Sequence, residues 1–101
     1  MAVTVHLPGP LLAFAGGERL VVLTGAPATV GEALIALGAR HPGVRDRVLD
    51  EQGSVRPHVN VFVGSESIRW SRGLETPLPD GAELFILPAV SGGAFSASGR
   101  A

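Results

Sequence analysis

Near the end of the sequence stands a pair of glycines, Gly92-Gly93, led in by Pro88-Ala89-Val90-Ser91 and followed by Ala94 to Ala101. Glycine has no Cβ, so a peptide end built this way can lie extended in a narrow channel and bring its backbone close to another group. A diglycine alone is a weak motif in a chain with 14 glycines. What the chain can do for itself is bounded by two absences. It has no cysteine, which removes thiol nucleophiles, disulfides and thiolate metal sites. It has no lysine either, since all eight basic residues are arginines, so no side chain can form a Schiff base or an isopeptide bond. His6, His41 and His58 fall on different elements without metal-ligand spacing. Gly9 and Gly16-Gly17 lack the strand-to-helix context and the lysine of a phosphate loop. No Ser/His/Asp constellation pairs a nucleophile with a base. The chain can present an acyl group but holds nothing to activate one, so it is expected to be no enzyme of its own.

Composition narrows the setting. At 101 residues the chain makes one domain, and 46% hydrophobic residues suffice for a core. A formal net charge of -1 gives no field that would draw it to nucleic acid or to anionic lipid. The longest apolar runs, Leu11 to Ala15 and Leu84 to Leu87, are too short to span a bilayer. Met1 to Val5 shows no basic patch ahead of a long apolar stretch, so no export signal is expected and the cytoplasm is the default location.

The elements that would position the diglycine follow from periodicity. Val3, Val5 and Leu7 alternate and predict a strand, which Pro8-Gly9-Pro10 ends. Beyond a turn at Gly16-Gly17, Glu18 to Leu23 predicts a second strand antiparallel to the first. Thr29 with Glu32 three residues on has capping-box spacing. Val30, Ala33, Leu34, Leu37 and Gly38 then predict one amphipathic helix to Ala39 or Arg40, stopped by His41-Pro42. Val44 to Leu49 reads as a short helical turn whose Arg45, Asp46 and Arg47 make a solvated face. Val59, Val61 and Val63 predict a strand with one buried face, and a turn at Gly64 leads to a short strand over Ser67 to Arg69, with Trp70 after it in partial core or at a rim. Asp80-Gly81 is a turn signal. Ala82 to Leu87 is the last strand, with Leu84 and Ile86 inward, Phe85 and Leu87 outward, and Pro88 as its stop.

Two hairpin-like halves around a single helix imply an α+β fold of the β-grasp, or ubiquitin-like, type: a mixed sheet of four to five strands with one main helix across one face. Residues 1–90 make the domain and 91–101 a flexible tail. The first and last strands lie parallel at the centre, and the last strand delivers the tail off one edge.

Val59-Asn60-Val61-Phe62-Val63, Ile68-Arg69, Gly73-Leu74, Leu78-Pro79-Asp80-Gly81 and Leu87 to Gly93 together resemble the ThiS/MoaD family of sulfur carriers. The likeness covers residues 3–93, is densest over 57–93, and within the family points to carriers of the CysO type. It implies that an E1-like adenylating enzyme uses ATP and magnesium to adenylate the Gly93 carboxylate, that sulfur displaces AMP to leave a thiocarboxylate, and that a sulfur-using biosynthetic enzyme spends it. Ser91 and Gly92 would thread into the adenylating site. Cysteine synthesis is the first choice of pathway, the small subunit of molybdopterin synthase the second, and a ubiquitin-like modifier conjugated to lysines a different class. Carriers of this family usually end on the second glycine. Here a peptide bond joins Gly93 to Ala94, which blocks the carboxylate, so trimming at that bond by a JAMM-type zinc peptidase is expected. The uncovered sheet face would carry His58, Asn60, Phe62, Phe85 and Leu87, with Pro88 fixing the tail exit, as the partner-binding surface of a monomer.

Overall fold

Alternating burial along short strands builds a mixed sheet. The computed structural model describes residues 2–88. Its five strands are β1 (Val3–His6), β2 (Leu20–Leu23), β3 (Val59–Val63), β4 (Glu66–Ser67) and β5 (Glu83–Pro88), and they lie in the order β2-β1-β5-β3-β4. Val3, Val5, Val21, Leu23, Val59, Val61, Leu84 and Ile86 all point to the covered side and are buried. β1 and β5 run parallel, with Val5 beside Leu84 and His6 beside Phe85. The other pairs are antiparallel, so β5, the last strand in the chain, is central.

The covered face is closed by α1 (Val30–Arg40) and α2 (Pro42–Val48). Thr29 caps α1: its Oγ1 accepts from the Glu32 N–H at 3.2 Å, while Glu32 Oε1 accepts from the Ala28 N–H at 2.8 Å. Two otherwise orphaned donors are thereby satisfied. Thr29→Ala is expected to cost about 1 kcal/mol, readable as a lower denaturant midpoint with unchanged slope. Val30, Ala33, Leu34, Leu37 and Gly38 bury against the sheet as their spacing predicts. Gly38 also sets how α2 packs, because a Cβ there would lie 2.8 Å from the Arg45 Cβ. Pro42 sits at the start of α2, where its missing N–H is no loss.

Local features add to the sequence expectation or depart from it: β2 and β5 begin later than expected, and the short turn expected over Val44 to Leu49 is the helix α2. The apolar run after Pro8 forms a 3-10 turn, Gly9–Phe14, whose Leu11 and Leu12 pack against the core. The predicted short strand at Ser67 to Arg69 is displaced: β4 is only Glu66–Ser67, and Ile68–Trp70 is a 3-10 turn. Ser67 Oγ accepts from the Arg69 N–H at 3.3 Å and bends the backbone there, which lets Ile68 turn inward and bury. Trp70, expected in partial core or at a rim, is 81% exposed and so no part of the core.

The outer edge of β2 is partly occupied. The Leu7 N–H donates to the Arg19 carbonyl at 2.9 Å, so by alternation the Val22 carbonyl points away from β1. Arg40 Nη1 donates to it at 2.8 Å. A guanidinium on that edge opposes strand-to-strand association.

Candidate functional site

The end of β5 is the natural origin of the site, because the tail leaves from it. Gly64 N–H donates to the Glu83 carbonyl at 2.9 Å, which sets the alternation of rungs between β3 and β5. Pro88 then falls opposite Val59 at a position without hydrogen bonds, where its lack of an N–H breaks no rung. It is therefore the last residue of the strand rather than a residue beyond it. Ser91, Gly92, Gly93 and Ala94, the residues expected to thread, to be activated and to be cleaved, lie outside the described residues, as does the predicted boundary at 90.

The uncovered face of the sheet carries a row that crosses all five strands: Leu20, His6, Phe85, Phe62 and Ser67 stand side by side in the pairing register. The His6 and Phe85 rings stack, with centroids 4.1 Å apart and planes 15° from parallel. His6 Nε2 lies 2.8 Å from Glu83 Oε1, which fixes the imidazole against the phenyl ring. The next row toward the tail is Asn60 opposite Leu87. Phe62 and Phe85 are half-buried and Leu87 is 44% exposed. The structure thus brings Asn60, Phe62, Phe85, Leu87 and Pro88 together at the tail end of this face. Trp70 joins them: Asn60, Phe62, Ser67, Trp70, Leu87 and Pro88 border one shallow depression. An exposed indole beside half-buried phenyl rings is the composition of an interface anchor. Sequence reading missed it because a residue after a short strand carries no periodicity to say which way it points.

His58 was expected on the same face and is not among the residues of that depression. It precedes β3 and borders a second groove of about 530 Å³ at the same end of the domain, with Pro8, Leu11, Phe14 and Arg47. Leu87 and Pro88 border both hollows, so the last described residues form the ridge between them.

Phe85→Asp is expected to lower partner affinity at least about tenfold, since it places a charge amid the row. It should cost only about 1–2 kcal/mol of stability, because Phe85 leans on His6 rather than filling the core. Calorimetric binding and thermal melting separate the two; a collapse of Tm without loss of affinity would make Phe85 a core residue.

Among the described residues no group of three or more His, Asp or Glu could hold a metal ion. Among them, too, no helix is long and apolar enough to cross a membrane.

A five-stranded mixed sheet with β1 and β5 parallel at its centre, one main helix across it and a tail leaving from β5 defines a ubiquitin-like β-grasp protein. The chain belongs to the ThiS family, whose profile matches residues 5–93 and so ends on the second glycine. It is 38% identical over 95 residues to the sulfur carrier protein CysO of Mycobacterium tuberculosis, a match spanning 92% of this chain and all of that protein. It is 42% identical to a chain of the Amycolatopsis orientalis BexX/CysO complex, with a TM-score of 0.80 and coverage of 90% of this chain and 99% of that one. Small archaeal modifier protein 1 of Haloferax volcanii is 34% identical, with a TM-score of 0.76 over 92% of this chain and all of that one. The relatives of this chain thus include a sulfur carrier protein and a small archaeal modifier protein.

Proposed function

We propose that this protein is a sulfur carrier whose working group is the Gly93 carboxylate, freed by cleavage of the Gly93–Ala94 bond. The observation that carries this reading is positional. The family match ends on Gly93, five residues past the end of the central strand β5, and the ridge from which the chain departs is flanked by an apolar docking face. A carboxylate has a poor leaving group, so sulfur cannot displace its oxygen directly. In a partner enzyme of the E1-like type, with ATP and magnesium, a Gly93 carboxylate oxygen attacks the α-phosphorus and pyrophosphate leaves. Hydrosulfide then attacks the acyl carbon, AMP departs with the electron pair, the thioacid loses its proton to solvent, and a thiocarboxylate remains. This chain's own residues contribute binding and presentation: the rigid β5 aims the tail, the face around Phe62, Phe85 and Leu87 holds the partner, and Ser91 and Gly92 admit the backbone to a narrow channel.

Cysteine synthesis is the favoured destination of the sulfur, on the strength of the CysO relatives. The small subunit of molybdopterin synthase is an alternative role. Trimming is assigned to a JAMM-type zinc peptidase, and intact mass spectrometry of the protein from its own host should give a chain ending at Gly93; a persistent mass including Ala94 to Ala101 would end the precursor reading. Adenylation is tested by ATP–pyrophosphate exchange with the activating enzyme: exchange should require a chain ending at Gly93 and be absent with the extended one.

Conjugation to protein lysines is a second reading, favoured by the likeness to small archaeal modifier protein 1. Having no lysine, the chain cannot build a lysine-linked polymer of itself, so conjugation would be limited to single additions on other proteins. Recovery of Gly-Gly remnants on such lysines would favour this reading.

A further inference from the structure

The groove between the Gly9–Phe14 turn, α2 and the end of β5 is not part of the open sheet face, and its chemistry is distinct. Its apolar wall comes from Leu11, Phe14 and the buried Val59 and Ile86. Two guanidinium groups stand at it, Arg47 and Arg56. The ion pairs among the described residues are His6–Glu83, Arg40–Glu18 and His41–Glu18, so neither Arg47 nor Arg56 meets a carboxylate there. The one acid bordering the groove, Asp46, pairs with neither and leaves an excess of positive charge.

Both arginines are nevertheless held. The Arg47 guanidinium lies 4.3 Å from the centre of the Phe14 ring. Arg56 Nε donates to the Asp46 carbonyl at 3.0 Å. Each contact is to a neutral group and leaves N–H donors without a partner among the described residues, so two forks that fit carboxylates are pre-positioned beside an apolar slot. Fixing them beforehand lowers the entropy lost when a ligand docks.

We propose that this groove is a second docking site, which takes an acidic segment of a partner protein: one large apolar side chain in the slot, with flanking carboxylates on Arg47 and Arg56. The site deepens the carrier reading and rests on it for its partner, which is the enzyme that handles the tail, because Leu87 and Pro88 border the groove directly ahead of the diglycine. A partner gripping the open face and this groove together would straddle the tail and fix its direction of exit. The extra positive charge would also speed encounter with an acidic surface.

The test has two arms. In the first, the full chain is titrated with a short peptide carrying phenylalanine and leucine between aspartates, followed by amide chemical shifts. Shifts should centre on Leu11, Phe14, Arg47 and Leu87, and affinity should fall at least about tenfold in Arg47→Glu, in Arg56→Gln, or when the aspartates become asparagines. Unchanged core amide shifts in the variants show that they fold. Equal binding of the neutral peptide, or shifts confined to Asn60, Phe62 and Phe85, would overturn the proposal. So would groove shifts between the full chain and a chain ending at Gly93, which would make the extension the occupant. In the second arm, Arg47→Glu should raise the KM of the activating enzyme for a chain ending at Gly93 about tenfold with kcat unchanged. If the unaltered chain exchanges pyrophosphate and Arg47→Glu does so with the same KM, the groove has no such role. If the unaltered chain is not adenylated at all, the carrier reading fails while the peptide arm still decides the groove.

Discussion

Gly92→Val, made in a chain ending at Gly93, is expected to lower kcat/KM for adenylation by about a hundredfold or more, since a displacement of about 1 Å of the reacting group is enough for such a loss. A branched side chain would both widen the tail and restrict its backbone, so the carboxylate could not reach the α-phosphorus in line. Stability should not change. Among the described residues the buried core runs from Val3 to Ile86, and Gly92 lies outside it in sequence. ATP–pyrophosphate exchange measures the first effect and thermal melting the second. Exchange at the unaltered rate would mean that the enzyme does not need a side-chain-free end, and the diglycine would then be incidental to the chemistry.

The second large effect is on the scaffold. Leu84 is fully buried in the central strand, beside Val5 on one neighbour and opposite Val63 on the other. Leu84→Ala removes apolar contacts and leaves a cavity that packed neighbours on both sides cannot collapse into, at a cost of about 3–4 kcal/mol. For a domain of this size that lowers Tm by roughly 12–30 °C. Leu87, three residues on and on the open face, should cost less than about 1 kcal/mol when cut to alanine, while weakening partner binding. The pair separates the two jobs assigned to one strand: its inward residues hold the fold, and its outward residues form the proposed partner surface. Equal losses of Tm for the two variants would contradict that division.

That division was legible in the sequence, because a strand with one covered face has a period of two that the residues display. Val3 and Val5, Val59 and Val61, and Leu84 and Ile86 all bury as their alternation predicts, and Thr29 with Glu32 marks the start of the helix. The parallel contact of β1 with β5 was expected from the β-grasp arrangement that the order of elements implies. Where periodicity is lacking, reading failed. Leu11 to Ala15 is a short apolar run compatible with several conformations, and it became a 3-10 turn. Ser67 to Arg69 reads as a short strand, but a local Ser67 cap turns Ile68–Trp70 into a 3-10 turn. The groove lined by Pro8, Phe14, Arg47, Arg56 and Pro88 could not have been read from the chain, since its walls come from four separated segments that only tertiary packing brings together. Arg47 looked like part of a solvated face because an isolated arginine carries no sign of the ring beneath it.

The central claim is that a compact β-grasp scaffold carries an acyl end which another protein energises and loads with sulfur. The most direct test is to incubate the full chain and a chain ending at Gly93 in parallel with the activating enzyme, ATP, magnesium and sulfide, and to weigh both intact. The account predicts that the shorter chain gains the mass difference of one oxygen replaced by sulfur, localised to Gly93, and that the full chain stays unchanged. A shorter chain that keeps its carboxylate, in a mixture where an established carrier is loaded, would contradict it.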